Sequence, residues 1–184
     1  MEIRKNYLIN EKTGLLMGEY YTNGTLYTRV IEDMENFLVA MSPVHLIDKS
    51  LLQYGSSLIG ALSSSKEVLG EMYMYPIKVS SSLDIWLFPS KSYKKSNCIW
   101  FVLNHIEDTL PQSVQQTEVF LRFGHQITIK MKESAFRTKR RNAEKLRERI
   151  SNNINNSSFV KKKEINGYLI KEEKDQYKFS INED

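Results

Sequence analysis

The chain has 184 residues, of which 41% are hydrophobic, and a net charge of +4; these values suit one compact domain with a tail or with a small subdomain, and exclude disorder of the whole chain. There is no run of eighteen apolar residues and no apolar leader, so we expect neither a transmembrane helix nor a signal peptide. Because the lone cysteine, Cys98, can form neither an internal disulfide nor a cysteine-based metal site, we expect a cytoplasmic protein.

The first forty residues are rich in the residue types that form β-strands. The dipeptide Asn23-Gly24 is a strong signal for a tight hairpin, because both residues tolerate the positive φ that such turns require. We therefore expect two or more antiparallel strands here. The expected strands are residues 7–9, 15–21, 25–31 and 36–41.

A central segment, residues 43–69, has its apolar residues at mixed helical spacing. Gly55 interrupts this spacing, and Gly70 is a suitable helix stop. We interpret the segment as two short helices that meet at Gly55.

β-Forming residues return after the helical segment. Pro76 lacks the N–H that a sheet requires and suits an edge strand, whereas the continuous apolar runs that follow suit buried strands. Gly124 lies between the two runs of the clearest hairpin in the chain. The expected strands are residues 72–79, 85–88, 99–103, 119–123 and 127–131.

The last strong pattern before the tail is helical. Phe136, Ala143, Leu146 and Ile150 recur at intervals of three, four and seven residues, which indicates a helix over residues 133–151. The apolar stripe is narrow, and most of the remaining surface of this helix carries charge.

The chain is thus expected to be an α+β protein, with an antiparallel β-sheet, a central helical segment and a C-terminal basic helix. Residues 1–151 form the expected domain, including the basic helix. Residues 152–184 are expected to be an Asn-rich linker and a charged tail, with strand-like pieces at 168–170 and 177–179.

Positive charge is concentrated in one part of the sequence. Residues 132–163 carry eleven Lys or Arg and three Glu, a net charge of +8, whereas the preceding residues are nearly neutral and the tail is acidic. A clustered positive field attracts phosphate groups more strongly than scattered charges do, so we expect a polyanionic partner. The candidate DNA-binding residues are Arg137, Lys139, Arg140, Arg141, Lys145, Arg147 and Arg149.

Two simpler interpretations remain open for the basic residues. The helix can be an ordinary solvated amphipathic helix, although five of its seven basic residues are Arg, the side chain that suits phosphates and narrow grooves. A second basic group, Lys91, Lys94 and Lys95 beside Tyr93, is more simply a polar loop between strands. Lys161–Lys163 are further candidates for phosphate contacts.

No catalytic, metal or cofactor site is apparent in the sequence. His45, His105 and His125 lack metal-type spacing, and Cys98 adjoins an expected buried strand, where a lone cysteine usually acts as a small apolar residue. The sequence also lacks the common nucleotide-binding and hydrolase motifs. We therefore do not expect an enzyme, and we expect no cofactor.

Two ordered stretches of sequence resemble a known family. The first is Pro43-Val44-His45-Leu46-Ile47-Asp48-Lys49-Ser50, followed by Tyr54-Gly55-Ser56-Ser57 and Gly60. The second is Trp86-Leu87-Phe88-Pro89-Ser90, followed by Cys98, Trp100 and His105. Over residues 40–106 this string resembles the ComK family of bacterial competence transcription factors. Ala61 departs from the basic residue expected after the glycine, and the proline usual near the cysteine is absent.

This resemblance implies a transcription activator of competence (DNA-uptake) genes that binds A/T-rich boxes of double-stranded DNA, largely through the minor groove. It also implies a homodimer or a dimer of dimers on DNA, contact with RNA polymerase, and control by a Clp-protease adaptor. Two other hypotheses remain: an RNA-binding protein, since a basic helix also suits RNA, and an interaction module that binds an acidic protein partner.

Overall fold

A seven-stranded sheet forms the framework of residues 1–151 in the computed structural model, which describes residues 2–157, 168–173 and 176–181. The strand order is β1-β4-β3-β2-β7-β6-β5, and all neighbours are antiparallel except β1 and β4. The strands are β1 (Ile3–Arg4), β2 (Thr13–Tyr20), β3 (Leu26–Glu32), β4 (Glu35–Val39), β5 (Ile77–Ser80), β6 (Ile85–Pro89) and β7 (Ile99–Val102).

One face of this sheet is covered by helices α1 (Pro43–Gln53) and α2 (Leu58–Leu69). Ser42 caps α1 by accepting a hydrogen bond from the amide of His45, and Ser57 caps α2 in the same way. Between the helices Gly55 has a φ of +77°, which a residue with a side chain rarely adopts. The predicted pair of helices meeting at Gly55 is confirmed.

The opposite face is covered by a second sheet and the last helix. Strands β8 (Ile106–Ser113), β9 (Gln116–Leu121) and β10 (Gln126–Ile129) form an antiparallel sheet in the order β10-β9-β8. Helix α3 (Glu133–Ser157) follows it directly. The ring of Phe136 on α3 lies 5.5 Å from that of Phe88 and 5.1 Å from that of Phe101, measured between centroids.

The sheet between these layers is buried on both faces. Successive side chains of a strand point to opposite faces, so Leu15 and Phe101 belong to the core beneath α3, while Leu16 and Trp100 belong to the core beneath α1 and α2. This explains why β6 and β7 appear in the sequence as continuous apolar runs.

The α+β fold class is confirmed, and most predicted elements are present. The predicted 119–123/127–131 hairpin is observed as β9 and β10, with Val119 opposite Ile127. The predicted edge strand at 72–79 is shorter and begins only at Ile77.

The predicted strand at residues 7–9 is wrong. This segment is irregular, and the backbone of Ile9 pairs with side chains of α1 and its C-cap instead of a neighbouring strand. The amide of Ile9 donates to the hydroxyl of Ser50, and the hydroxyl of Tyr54 donates to the carbonyl of Ile9.

The predicted helix over residues 133–151 ends too early, because α3 continues to Ser157. Asn and Ser lower helix stability by only a few tenths of a kcal/mol per residue, and no Gly or Pro stops the helix here. Residues 152–184 form a separate unit that contains an antiparallel hairpin of β11 (Tyr168–Glu173) and β12 (Gln176–Ile181). Both strand-like pieces predicted for the tail fall on these strands.

Candidate nucleic-acid interface

Helix α3 packs through its narrow apolar stripe against the preceding part of the chain, which is called the body below. Phe136, Ala143 and Leu146 have no exposed surface, and Ile150 is 9% exposed. At its start, Glu133 accepts a hydrogen bond of 3.0 Å from the hydroxyl of Thr109 on β8. The orientation of the helix is therefore set by its packing, and the basic residues divide according to their angle from this stripe.

Arg141 and Lys145 lie on the face opposite the apolar stripe. Four residues separate them, so their side chains are neighbours on one helix surface. Both are exposed, and within residues 2–157 neither side chain forms a hydrogen bond or an ion pair. These two cations are directed to solvent by a helix whose other side is fixed.

Arg137 and Arg140 flank this face and carry intrahelical partners. Arg137 lies 2.8 Å from the carboxylate of Glu133 and remains 59% exposed. Arg140 pairs with Glu144 at 3.2 Å and also donates to the carbonyl oxygen of Ile106 at 3.3 Å. A groove of about 250 Å³ lies between β8 and α3. Its lining residues are Asp108, Thr109, Arg137, Arg140, Arg141 and Glu144.

The remaining three predicted residues, Arg147, Arg149 and Lys139, contact the body. Arg147 donates to the side-chain oxygen of Asn104 at 2.7 Å and lies 3.5 Å from Asp84. Arg149, although exposed, donates to the carbonyl oxygen of Val68 at 2.6 Å.

Lys139 is half-buried, and its ammonium group contacts the sulfur of Met74 at 3.4 Å. Burial lowers the pKa of Lys139, because removing the ammonium from water disfavours its charged form. The structure thus separates the seven predicted residues into a solvent-facing set and a set that fixes α3 to its surroundings.

The second basic group lies on an ordered loop between β6 and β7. Lys94 and Lys95 are exposed, whereas Lys91 and Tyr93 are partly buried. The thiol of Cys98 donates to the carbonyl of Lys91 at 3.3 Å, which joins the two ends of the loop. Lys161–Lys163 lie outside the described residues.

Cys98 and the histidines have structural contacts. Burial raises the pKa of the Cys98 thiol, which keeps it protonated and unreactive. His105 is buried against the carbonyl oxygen of Glu11 at 2.7 Å, and His125 contacts that of Asp33. Among the described residues, no three His, Cys, Asp or Glu side chains are grouped as metal ligands, and no helix is long and apolar enough to cross a membrane.

The amino-acid sequence of the chain is similar to that of a known protein family. The model of the ComK protein family matches residues 4–155 of the chain. The competence transcription factor of Bacillus subtilis (strain 168) is 27% identical over 132 residues, which cover 72% of this chain and 68% of that protein. No solved structure matches the chain significantly.

Proposed function

Because the chain belongs to the ComK family, we propose that it is a DNA-binding transcription regulator that activates competence genes. The similarity to a protein named as a competence transcription factor supports this role. A regulator of this kind acts by binding, so the proposal requires no catalytic group.

The observation that carries the proposal is the solvent-facing pair Arg141 and Lys145 on the anchored helix α3. Neither cation has a carboxylate partner within residues 2–157, so contact with a phosphate does not require an existing ion pair to break. A protein cation that replaces counterions along DNA gains affinity from their release. Because α3 is already fixed by its packed stripe, little additional ordering of the helix opposes binding.

We further propose that the target is A/T-rich duplex and that Arg141 enters its minor groove. A-tracts narrow this groove and increase its negative potential, which favours Arg over the more strongly hydrated Lys. Lys145, one turn along α3, then contacts the adjacent phosphate backbone. Arg137 is exposed enough to exchange its Glu133 partner for a phosphate.

The other predicted residues receive positioning roles in this proposal. Lys139, Arg140, Arg147 and Arg149 hold α3 against the body and add to the positive field without direct access to bases. The protein is proposed to act as a homodimer or a dimer of dimers on DNA and to contact RNA polymerase. Control by a Clp-protease adaptor is part of the same proposal.

Fluorescence anisotropy with an A/T-rich duplex tests the function directly. We expect competition by unlabelled A/T duplex, but little competition by G/C duplex or single-stranded RNA. Replacing A·T pairs by inosine·cytosine pairs keeps the minor-groove pattern and changes the major groove, so binding should persist. The minor-groove drug distamycin should compete.

Other outcomes of this experiment would favour one of the alternative hypotheses. Stronger competition by RNA favours the RNA-binding hypothesis, and no binding to any nucleic acid favours an acidic protein partner. Loss of binding to inosine·cytosine duplex, without competition by distamycin, excludes the minor-groove mechanism while retaining DNA binding.

A further inference from the structure

A cavity next to the start of α1 combines apolar and cationic residues. Its volume is about 220 Å³, and its apolar lining includes Leu26, Pro43 and Trp100. For comparison, an apolar cavity of about 150 Å³ binds benzene. Lys94 and Lys95 are also among the lining residues, and no Asp or Glu is. The cavity therefore offers an apolar surface and an uncompensated positive charge.

Trp100, which lines this cavity, also carries a buried hydrogen-bond donor without an acceptor. The residue has no exposed surface, and its Nε1 is the buried side-chain nitrogen or oxygen within the described residues that lacks a partner. The other tryptophan differs, because Nε1 of Trp86 donates to Asp84 at 2.7 Å. Buried donors are nearly always paired, so the unpaired indole N–H distinguishes Trp100 from Trp86 as a reporter beside the cavity.

The start of α1 adds a second source of donors. Ser42, Pro43 and Val44 line the cavity, and Val44 carries the first N–H of the helix because Pro43 has none. The first N–H groups of a helix have no partner within it and carry partial positive charge. No acidic residue in the first turn of α1 offsets that charge.

The wall opposite α1 is held in place by the loop between β6 and β7. The amide of Ile99 donates to the hydroxyl of Ser90 at 2.9 Å, and the thiol of Cys98 donates to Lys91. The carbonyl of Ser96 packs so closely on Gly18 that a Cβ there would overlap its oxygen. The cavity is therefore formed in advance of any ligand.

We propose that this cavity binds a small organic anion with an apolar body, an aromatic or branched aliphatic carboxylate of about eight to twelve non-hydrogen atoms. The carboxylate pairs with Lys94 and Lys95 and accepts hydrogen bonds from the first free N–H groups of α1. The apolar body packs against Leu26 and Pro43. This site is separate from the face of α3 and does not depend on DNA binding.

The two tryptophans make the test direct. The full-length protein, labelled with ¹⁵N, is titrated with benzoate while the indole N–H resonances are recorded by NMR. We expect the Trp100 resonance to move and saturate, while that of Trp86, already bonded to Asp84, stays in place. Benzamide, which lacks the charge, and inorganic phosphate, which lacks the apolar body, should bind much more weakly.

The Lys94→Ala/Lys95→Ala variant measures the contribution of charge. We expect it to weaken benzoate binding by about five- to ten-fold, whereas the matched Lys5→Ala/Lys130→Ala variant, at two other exposed lysines, should not. A Trp100 resonance unchanged by benzoate in the wild type overturns the proposal. Equal binding of benzamide, equal binding of phosphate, or full affinity in Lys94→Ala/Lys95→Ala also overturns it.

Discussion

Arg141 and Lys145 are the side chains on which the proposed DNA contact depends. Because both are exposed, their replacement should change DNA affinity with little change in the free energy of unfolding. In the Arg141→Ala/Lys145→Ala variant, the magnitude of the negative slope of log affinity against log salt should fall by about 1.8, or about 0.9 for each cation that neutralises phosphate charge. Its free energy of unfolding should change by less than about 0.5 kcal/mol, since neither side chain has a described partner. Anisotropy titrations at several salt concentrations and urea unfolding measure the two effects.

The Lys5→Ala/Lys130→Ala variant is the control for this experiment, because it removes the same charge outside α3. It should leave the salt slope nearly unchanged. An unchanged slope in Arg141→Ala/Lys145→Ala as well would remove the solvent-facing side of α3 from the interface.

Lys139 should affect stability more than binding. Its pKa is lowered from the ordinary 10.5 by burial, so between the folded pKa and 10.5 the unfolded chain binds more protons than the folded one. Stability therefore rises with pH through this window and is reduced below it. Lys139→Met, which places an apolar chain beside Met74, should be more stable than wild type at neutral pH.

Urea midpoints of wild type and Lys139→Met at a series of pH values test this sign. The gap between the two proteins should narrow as the pH approaches 10.5. Duplex affinity should be nearly equal for both, and a large loss of affinity in Lys139→Met would show that this lysine contacts DNA.

The basic residues of α3 show which features of the candidate site could be predicted from the sequence. Periodicity predicted the buried stripe of α3 and therefore which faces the charges occupy. The partners of Arg140, Arg147 and Arg149 are Ile106, Asn104 and Val68, which come from segments 34 to 81 residues away. Only the fold brings these segments to α3, so the sequence could not distinguish bound cations from free ones.

Helix α3 is held in place by the burial of Phe136 more than by helix propensity. The ring is fully buried and meets Phe88 and Phe101 edge-on. Phe136→Ala should lower the free energy of unfolding by about 3–5 kcal/mol. Phe123→Ala removes the same ring at a position 51% exposed and should cost less than about 1 kcal/mol.

Guanidinium unfolding followed by far-ultraviolet circular dichroism compares these two variants. If α3 presents the DNA-binding surface, duplex affinity should fall in Phe136→Ala and remain in Phe123→Ala. Equal stability of the two variants would contradict the docking of α3 described above.

The elements that sequence analysis missed share a physical cause. Strand β8 has mostly exposed polar residues and contains Pro111, so neither alternation nor apolar content indicated it; its pairing with β9 defines it. Residues 7–9 have strand-forming composition, but the side chains of Ser50 and Tyr54 bond to the backbone of Ile9. In each case a tertiary partner outweighed local preference.

The proposed pairing of dimers on DNA predicts that binding depends on the helical phase between two A/T boxes. Inserting about five base pairs between two A/T boxes rotates one box by half a turn, whereas about ten restores its face. Binding to the two boxes should be cooperative in the second case and independent in the first. Gel shifts on the original spacing and on the two insertions test this. Cooperativity that is the same at all three spacings would contradict direct contact between the bound dimers.

The pairing of β2 with β7 has a consequence for how the chain folds. Leu15 lies opposite Phe101 and Leu16 opposite Trp100, so both apolar cores remain open until these distant segments meet. Closing so long a loop costs entropy before any core contact compensates, and such high contact order slows folding to about milliseconds to seconds. During synthesis, α1 and α2 leave the ribosome before β7, whereas the face of β2 to β4 that packs beneath α3 stays uncovered until the later strands and α3 follow. Stopped-flow refolding monitored by the fluorescence of Trp86 and Trp100, both buried beside this junction, should therefore show no submillisecond completion.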